Sequence, residues 1–235
     1  MSENQRKVWI TGASSGIGKA TAEKFAKENW KVAISARREE LLNEMAKDQN
    51  IFAFPMDVTD QNKIEETVLS NNFSWYFIPE IATPPVGPRP RPAFQHQFVH
   101  KGGNINSDYF EMTAKIVNMS CKKIGFRYNQ IHQGRSFLQL PLNLDDKDIL
   151  DPVHLDNDTD PHMVVLYYVK DSDGDTVIFD NHYEKDKERP MKNNLKIKKT
   201  ITPKKGRVVI FDGWYWHTAQ QPSNDIRCVI NYNVI

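Results

Sequence analysis

The order of hydrophobic and polar positions changes character near residue 70. Up to residue 69, short runs rich in β-branched and aromatic residues alternate with stretches whose apolar residues recur at helical spacing. The predicted strands cover 7–11, 31–35 and 51–54, and the predicted helices cover 19–29, 38–47 and 60–69, the last capped by Asp60. Alternating strands and helices predict a parallel sheet with right-handed crossovers.

Beyond residue 70 the pattern predicts a different architecture. The segment 79–92 is dense in proline and cannot form a helix or a central strand, whereas 106–123 carries an apolar stripe typical of a helix. From residue 125 onward, turn residues separate the predicted strands FRYNQIH, SFLQLPL, MVVLYYV, TVIF, LKIKKTIT, RVVIF and IRCVINYNV. Many short strands without helices predict a jelly roll. We therefore expect an α+β protein with two domains, residues 1–69 and 70–235.

Composition and charge exclude several classes of protein. The chain has 235 residues, and its 31 Lys and Arg balance 30 Asp and Glu, so bulk charge gives no reason to expect nucleic acid or a membrane as partner. Cys121 and Cys228 are too few for a disulfide scaffold. The start lacks the apolar core of a secretory signal, and no run reaches the roughly 20 apolar residues of a membrane helix. We expect a soluble cytoplasmic protein, with its oligomeric state open.

Three glycines lie between the first predicted strand and the first predicted helix. Gly12, Gly16 and Gly18 permit a tight turn and a close approach to a pyrophosphate, which would face the positive end of the helix dipole. With SARR at 35–38 and MDVTD at 56–60, the motif TGASSGIG resembles the beginning of a short-chain dehydrogenase/reductase. The resemblance covers the first domain alone and implies a truncated Rossmann-like βαβαβα unit.

The same resemblance implies a site for NADP without dehydrogenase chemistry. In that family the position of Arg37 often favours NADP, and the position of Asp57 contacts the adenine. The residues implied for this site are Gly12, Ser14, Gly16, Ile17, Gly18, Arg37 and Asp57. The family's Tyr-x-x-x-Lys pair is not recognisable in the stretch that carries the resemblance, and Tyr109 farther on is followed four residues later by Thr113. We expect a folding or interaction module, or a unit that retains dinucleotide binding without ketone reduction.

A second set of residues predicts a metal site in the other domain. His154 and Asp156 lie two residues apart just before a strong strand, and His217 follows a later strand and turn in WYWH. An i, i+2 pair points to one side only if its backbone is extended, so the motif also predicts local strand geometry. Two imidazoles and one carboxylate form the facial triad of non-haem Fe(II) enzymes. A hydrolytic zinc site with the same three ligands is the alternative.

Arg227, on the strand after His217, supplies the charge that an anionic cosubstrate needs. A 2-oxo acid can bind iron through its keto oxygen and adjacent carboxylate, while the distal carboxylate of 2-oxoglutarate needs a buried cation. Arginine suits this role because its planar guanidinium binds carboxylate through two hydrogen bonds and stays charged. Asn231 shares the strand face of Arg227 and could add a hydrogen bond.

The order and spacing of several motifs resemble one known family. HLDND at 154–158, LYYVKDSDGDTVIF at 166–179 and PKKGRVVIFDG at 203–213, followed by His217 and Arg227, look like a 2-oxoglutarate- and Fe(II)-dependent oxygenase of the prolyl 4-hydroxylase-like branch. The resemblance covers the second domain and implies a double-stranded β-helix.

The resemblance also assigns roles to individual residues. It implies that His154, Asp156 and His217 are the iron ligands and catalytic residues, and that Arg227 anchors 2-oxoglutarate. Tyr168 corresponds to a position that can hydrogen-bond the distal carboxylate of 2-oxoglutarate, with core packing as its other role. Tyr128 and Asn129, on an earlier predicted strand, are candidates for contacts to the cosubstrate or the substrate. Val229 departs from the family, which often has a hydroxyl residue two positions after this arginine.

The implied reaction is hydroxylation of a substrate coupled to conversion of 2-oxoglutarate to succinate and CO2. The substrate is a peptidyl or free amino acid or another small metabolite, and the sequence does not distinguish these. Two other classes stay open. One is an NAD(P)-binding module with a non-catalytic β domain, and the other is an oxygenase fold that serves as an interaction domain.

Overall fold

The computed structural model describes residues 6–36, 38–55, 60–81, 91–142, 150–185 and 194–235. Contacts between Cα atoms divide the chain into two units, residues 1–63 and 64–235. Arg37, Asp57 and most of the proline-dense segment 79–92 lie outside the described residues. No helix in the described ranges is long and apolar enough to cross a membrane.

The N-terminal unit is built on a three-stranded parallel sheet with β2 in the middle. Its elements are β1 (Lys7–Thr11), α1 (Gly16–Lys27), β2 (Lys31–Ala36), α2 (Glu39–Met45) and β3 (Ile51–Pro55). Ala22 and Ala26 of α1 and Leu42 of α2 pack with Val32 and Ile34 of β2 in a buried cluster. The order of strands and helices is therefore the one that the hydrophobic pattern predicts.

The next helix, α3 (Gln61–Val68), begins in one unit and ends in the other. Asp60 caps it as predicted, because its Oδ1 accepts a hydrogen bond from the backbone N–H of Asn62 at 2.8 Å. The buried Ile64 and Val68 belong to the main core of the C-terminal unit. The helix that closes the expected first domain thus contributes to the core of the second unit.

The described part of the C-terminal unit contains two antiparallel sheets and one long helix. Its elements are β4 (Tyr76–Ile78), β5 (Ala93–Val99), α4 (Phe110–Ile124), β6 (Ile131–Gln139), β7 (Met163–Tyr168), β8 (Thr176–His182), β9 (Ile197–Ile201), β10 (Val208–Asp212), β11 (Tyr215–Ala219) and β12 (Arg227–Val234). The large sheet has the order β10-β7-β12-β6-β5-β4 and the small sheet β11-β8-β9.

The two faces of the large sheet pack against different partners. One face carries Tyr167, Ile230 and Tyr232, which share the main core with Ile116 and Val117 of α4. The other face carries Leu166, Tyr168 and Val229, which share a second buried cluster with Ile178 and Ile201 of the small sheet. The helix and the small sheet therefore cover opposite faces of the large sheet, and the alternation of side chains along each strand decides which face a residue joins.

One strand prediction is wrong in the region that follows α4. FRYNQIH and SFLQLPL are expected as two strands, but the chain forms a single strand, β6, through Gly134. Gly134 continues the strand because the ring of Tyr232 lies over it, and a Cβ there would be 2.1 Å from that ring. Packing between distant residues thus removes the break that glycine suggests locally. Strands β4, β5 and β11 are not predicted.

The register between β6 and β12 brings the polar candidates to the face that looks toward the small sheet. Arg227 is paired with Gln139, and Asn231 is paired with Arg135. Val229 lies between them on the same face of β12 because side chains alternate along a strand. This face therefore has a polar end at Arg227, an apolar middle and a second polar end at Asn231.

Candidate metal centre

His154 and His217 are held side by side by the backbone. The N–H of His154 donates to the carbonyl of His217 at 2.9 Å, and the N–H of His217 donates back at 3.2 Å. This isolated antiparallel bridge supplies the extended backbone that the His-x-Asp spacing requires. The two imidazole centroids are 4.7 Å apart. Two side chains that are far apart in sequence thereby face the same point.

Hydrogen bonds fix which nitrogen of each imidazole is available to a metal. Nδ1 of His154 lies 2.9 Å from the carbonyl oxygen of Pro152, and Nδ1 of His217 lies 2.9 Å from that of Tyr215. A carbonyl can only accept, so each Nδ1 carries the proton and each Nε2 keeps a free lone pair. This is the tautomer that metal-binding histidines adopt.

The carboxylate of Asp156 completes the cluster. The ligand atoms of His154, Asp156 and His217 all lie within 4.8 Å of one another. Asp156 Oδ1 accepts a 2.7 Å hydrogen bond from Arg135 Nη2, and Oδ2 accepts a 2.9 Å bond from Asn231 Nδ2. Oδ2 lies 3.8 Å from Nε2 of His217. The three side chains, two imidazoles and one carboxylate, therefore fit a divalent metal ion.

Burial and neighbouring charges set the protonation of this cluster. Burial opposes ionisation of Asp156, but Arg135, the two histidines and Asn231 together outweigh it and hold the pKa of the carboxyl below its ordinary value. Burial, reinforced by His154, lowers the pKa of His217 to about 4. At neutral pH the carboxylate is thus charged and the His217 imidazole is neutral, as metal coordination requires.

The cluster opens into a cavity of about 250 Å³ between the two sheets. Polar side chains lie at its ends, and the wall between them is largely apolar. The apolar lining residues are Ile81, Phe137, Pro152, Leu155, Val164, Leu166, Phe211, Ala219 and Val229. Val229, which stands where the family often has a hydroxyl residue, is part of this apolar wall. The shape suits a small molecule with an aliphatic middle and charged ends.

Arg227 forms the other polar end of the cavity and is almost fully buried. Its Nε donates to the carbonyl of Gly174 at 2.9 Å, its Nη1 to Oε1 of Gln139 at 2.9 Å, and its Nη2 to Oγ1 of Thr176 at 2.8 Å. Bonds to described residues thus use three of the five N–H donors, and each terminal nitrogen keeps one donor. Two parallel donors on a fixed guanidinium are the arrangement that binds a carboxylate.

Tyr168 acts on this end through Thr176. The Tyr168 hydroxyl donates to Oγ1 of Thr176 at 2.8 Å, and burial raises the pKa of Tyr168, so the phenol stays protonated. Oγ1 accepts from both Tyr168 and Arg227, which leaves its own proton free to donate. Thr176 lines the cavity, whereas Tyr168 does not. The structure thus places Thr176 at the cavity wall, with Tyr168 hydrogen-bonded behind it.

Behind Arg227 a buried ion pair supports the floor of the cavity. Gln139 bonds Arg227 through Oε1 and donates from Nε2 to Asp151 at 2.8 Å. Asp151 also pairs with Nη1 of Arg91 at 2.7 Å and accepts from Gln221 at 2.9 Å. Because Arg91 balances the charge of Asp151, the pair does not cancel the positive charge that Arg227 presents.

The structure brings some of the remaining predicted residues to the cavity and leaves others outside. Asn231 lines the cavity and bonds Asp156, so its position is at the metal end rather than beside Arg227. Tyr128 does not line the cavity, and its hydroxyl donates to Asn118. Asn129 uses its backbone N–H to bond the C-terminal Ile235.

Sequence reasoning misses three residues that contact the predicted ones, namely Arg135, Gln139 and Thr176. Arg135 and Gln139 lie four residues apart and therefore share one face of β6, which is a signal readable from strand periodicity. What the periodicity does not give is the pairing of β6 with β12, on which their contacts depend.

The glycine-rich loop of the N-terminal unit has the backbone geometry that its sequence predicts. Gly12 and Gly16 have φ values of 68° and 58°, and a Cβ on Gly18 would lie 2.6 Å from the carbonyl oxygen of Gly12. Arg38, which is not among the predicted residues, donates to the hydroxyl of Ser15 at 2.7 Å. Ile17 is exposed. The predicted glycine turn is thus formed, with the Arg38 cation beside it.

Comparisons by sequence concern the N-terminal part of the chain. A family model for short chain dehydrogenases matches residues 6–71. An uncharacterized oxidoreductase of Staphylococcus haemolyticus is 46% identical over 68 residues, which are 28% of this chain and 29% of that protein. Serine 3-dehydrogenase of Agrobacterium fabrum is 41% identical over 63 residues, or 26% of this chain and 25% of the enzyme. The chain thus spans less than a third of the length of these curated relatives.

Comparisons by structure cover most of the chain. An oxidoreductase of the 2OG-Fe(II) oxygenase family from Burkholderia pseudomallei aligns with a TM-score of 0.52 and 14% identity, over 77% of this chain and 83% of that one. SnoN, a non-haem alpha-ketoglutarate-dependent epimerase from nogalamycin biosynthesis, aligns with a TM-score of 0.52 and 12% identity, over 76% and 72%. At this identity the likeness establishes a shared fold. Both predicted resemblances are confirmed, one by sequence and one by fold.

Proposed function

We propose that the C-terminal unit is a 2-oxoglutarate- and Fe(II)-dependent dioxygenase that hydroxylates its substrate. The observation that carries the proposal is the cavity itself, which has three metal-ligating side chains at one end and the buried Arg227 at the other. The fold shared with two structures of that cofactor class supports it. The two facing antiparallel sheets also fit the expected double-stranded β-helix.

Each end of the cavity would hold one part of the reacting complex. His154, Asp156 and His217 would bind Fe(II), which supplies the dioxygen chemistry that couples conversion of 2-oxoglutarate to succinate and CO2 with hydroxylation. Arg227 and Thr176 would bind the distal carboxylate of 2-oxoglutarate through charge-assisted hydrogen bonds. The apolar wall between them would pack against the methylene groups and exclude water from the site.

The runner-up for the metal is zinc, bound by the same three side chains for hydrolysis. Arg227 favours iron with 2-oxoglutarate, because this buried guanidinium lies at the far end of the metal cavity with two donors still available. A hydrolytic site that activates water needs no such anchor. The substrate class we propose is a peptidyl or free amino acid or another small metabolite.

The proposal predicts separate losses of metal and cosubstrate. Anaerobic calorimetry with Mn(II), followed by 2-oxoglutarate, is compared with aerobic succinate formation in the presence of Fe(II). His154→Ala is expected to abolish binding of Mn(II) and formation of succinate. Arg227→Gln is expected to keep Mn(II) binding but to weaken 2-oxoglutarate by about 100-fold, because a buried charge pair loses one partner.

Two matched controls make the result specific. His100→Ala and Arg127→Gln change exposed residues that do not line the cavity, and both are expected to behave as wild type. Wild-type protein that binds neither the metal nor 2-oxoglutarate would contradict the proposal. Wild-type protein that binds metal and hydrolyses esters but does not bind 2-oxoglutarate would favour the zinc alternative.

A second candidate function concerns the N-terminal unit. The formed glycine turn and the family match over residues 6–71 favour retained dinucleotide binding, with NADP as the implied ligand. In this alternative the β domain would be a non-catalytic scaffold. Arg37 and Asp57 belong to the same expectation but lie outside the described residues. A calorimetric titration with NADPH tests it.

A further inference from the structure

The carboxylate of Asp156 is held by two donors that come from neighbouring strands. Arg135 of β6 and Asn231 of β12 are register partners, and each bonds a different oxygen of Asp156. The Asp156 side chain is only 4% exposed, and the Arg135 side chain 19%. A buried negative charge in the metal cluster is therefore neutralised by a guanidinium at hydrogen-bonding distance.

Arg135 has little else to bind in its surroundings. It is the one arginine or lysine within 4 Å of Asp156 among the residues that the structure describes. Its Nε is buried and has no hydrogen-bond partner there, and its guanidinium carbon lies 5.2 Å from the centre of the Phe137 ring. The ion pair with Asp156 is thus its main polar interaction, and within the described ranges no second carboxylate forms an ion pair with the guanidinium.

A guanidinium and a divalent metal ion make opposite demands on this carboxylate. Either cation can balance the buried charge, which is costly to leave unpaired. When both are present, two positive centres lie on opposite sides of one carboxylate and repel each other, and the repulsion is weakly screened inside the protein. Asn231 is neutral, so it can orient Asp156 in both states without this conflict.

We propose that Arg135 is the counter-ion of Asp156 in the metal-free protein, and that the metal binds in competition with it. Arg135 is therefore a positioning residue that stabilises the empty site and weakens metal binding. The inference rests on the proposed function, since it takes His154, Asp156 and His217 as the metal ligands. It goes beyond that function because Arg135 is not a metal ligand, yet it is assigned an effect on the affinity of the site for metal.

The test measures stability and metal affinity instead of turnover. Thermal unfolding with EDTA and with saturating Mn(II), and anaerobic Mn(II) calorimetry, are compared for wild type, Arg135→Gln and Arg135→Lys. Arg135→Gln is expected to lower the midpoint without metal by about 5 °C and to recover most of it with Mn(II). Its Mn(II) dissociation constant is expected to fall about tenfold, because a nearby positive charge is gone. Arg135→Lys keeps the charge and is expected to stay near wild type.

The controls separate this role from ordinary packing. Arg127→Gln makes the same charge change at an exposed site outside the cavity and should alter neither quantity. The double variant Arg135→Gln with Asp156→Asn removes both charges and should recover the metal-free stability. It decides the question even if Arg135→Gln alone does not fold, since failure of the double variant to recover would overturn the counter-ion role.

The remaining outcomes are also distinct. Equal loss of stability with and without Mn(II), or Mn(II) binding no tighter than in wild type, would show that Arg135 only packs on Phe137, and the proposal would be wrong. Wild-type protein that binds no Mn(II) would instead refute the metal site of the proposed function. In that case the EDTA measurements on the single and double variants still decide whether Arg135 balances Asp156.

Discussion

The two units of this chain differ in where their likeness to other proteins lies. The N-terminal unit is recognised by sequence, with identities of 46% and 41% over about 65 residues, yet it covers under a third of those relatives. The C-terminal unit shares only 14% and 12% identity with structures of its fold, yet it aligns over most of their length. The unit with the higher sequence identity thus matches only a small part of its relatives' length, whereas the unit with the lower identity matches most of the length of its structural neighbours.

A functional site depends on the strands and loops that enclose it, and the two units differ in this respect. The loop at Gly12–Gly18 keeps its turn, but residues 1–63 contain no tyrosine and therefore no Tyr-x-x-x-Lys pair to act on a substrate. The cavity at His154 is lined by hydrogen-bonded polar side chains from β6, β8, β11, β12 and the loop before β7, and few of them are neighbours in sequence. For this reason the proposed function assigns the chemistry to the enclosed cavity and not to the motif with the higher sequence identity.

The largest expected effect comes from two variants, each of which disrupts the candidate ligand site of one unit. His217→Ala removes a metal ligand and is expected to abolish Mn(II) binding while leaving any NADPH heat unchanged. Gly18→Val places side-chain atoms against the carbonyl of Gly12, which a Cβ would already approach at 2.6 Å, so it should abolish any NADPH heat and leave Mn(II) binding intact. Calorimetry with each ligand on wild type and both variants measures this.

The two variants test the two units separately, because each unit has its own buried cluster of apolar residues. Loss of Mn(II) binding in Gly18→Val would show that the glycine turn supports the metal centre and would contradict the separation. Absence of heat from NADPH in wild type would leave the N-terminal unit as a folding or interaction module.

The sequence predicts the strands and the charged residues, but it does not predict which strands pair or which side chains meet. The strands around β7, β10 and β12 follow from runs of apolar residues, and His154, Asp156, His217 and Arg227 follow from their spacing. The partnership of Arg135 with Asn231 depends on a register between strands almost 100 residues apart, which no local pattern specifies. The same holds for Thr176, whose hydroxyl lies between that of Tyr168 and the guanidinium of Arg227 through contacts that no local pattern specifies.

A smaller effect on the free energy of unfolding is expected from pH, through His217 of the C-terminal unit. The pKa of His217 is about 4 in the folded protein and near 6.5 when unfolded, so unfolding takes up a proton between these values. Acid therefore favours unfolding across this window, and stability is retained above it. Going from pH 7 to pH 5 without metal should cost about 2 kcal/mol through this one histidine.

Urea denaturation in EDTA at both pH values measures the effect, with His217→Gln as the variant that lacks the titrating group. The variant should lose about 2 kcal/mol less than wild type on acidification. Asp156 adds little in this window, because its pKa is low in the folded state and its ordinary value already lies below pH 5. An equal loss in both proteins would show that His217 does not carry the pH dependence.

The smallest expected effect tests the end of the cavity opposite the metal. Gly174 allows Arg227 to pass close to the backbone, since a Cβ there would lie 3.0 Å from Cδ of Arg227 and 2.7 Å from the carbonyl oxygen of Gln220. Gly174→Ala therefore forces either the arginine or the backbone to shift by a few tenths of an ångström. Because the Arg227 donors then meet the carboxylate in poorer geometry, 2-oxoglutarate binding should weaken by about tenfold.

Mn(II) binding should be unchanged in Gly174→Ala, which distinguishes a shifted anchor from general damage to the unit. Gly125→Ala is a suitable control, because Gly125 ends α4 at a φ of 72° and a Cβ there meets nothing within 4 Å. It costs backbone strain without touching the cavity, so it should lower stability and leave both ligands bound as in wild type. If Gly174→Ala bound 2-oxoglutarate as tightly as wild type, Arg227 would not need its present position, and the anchor would have to be sought elsewhere on the cavity wall.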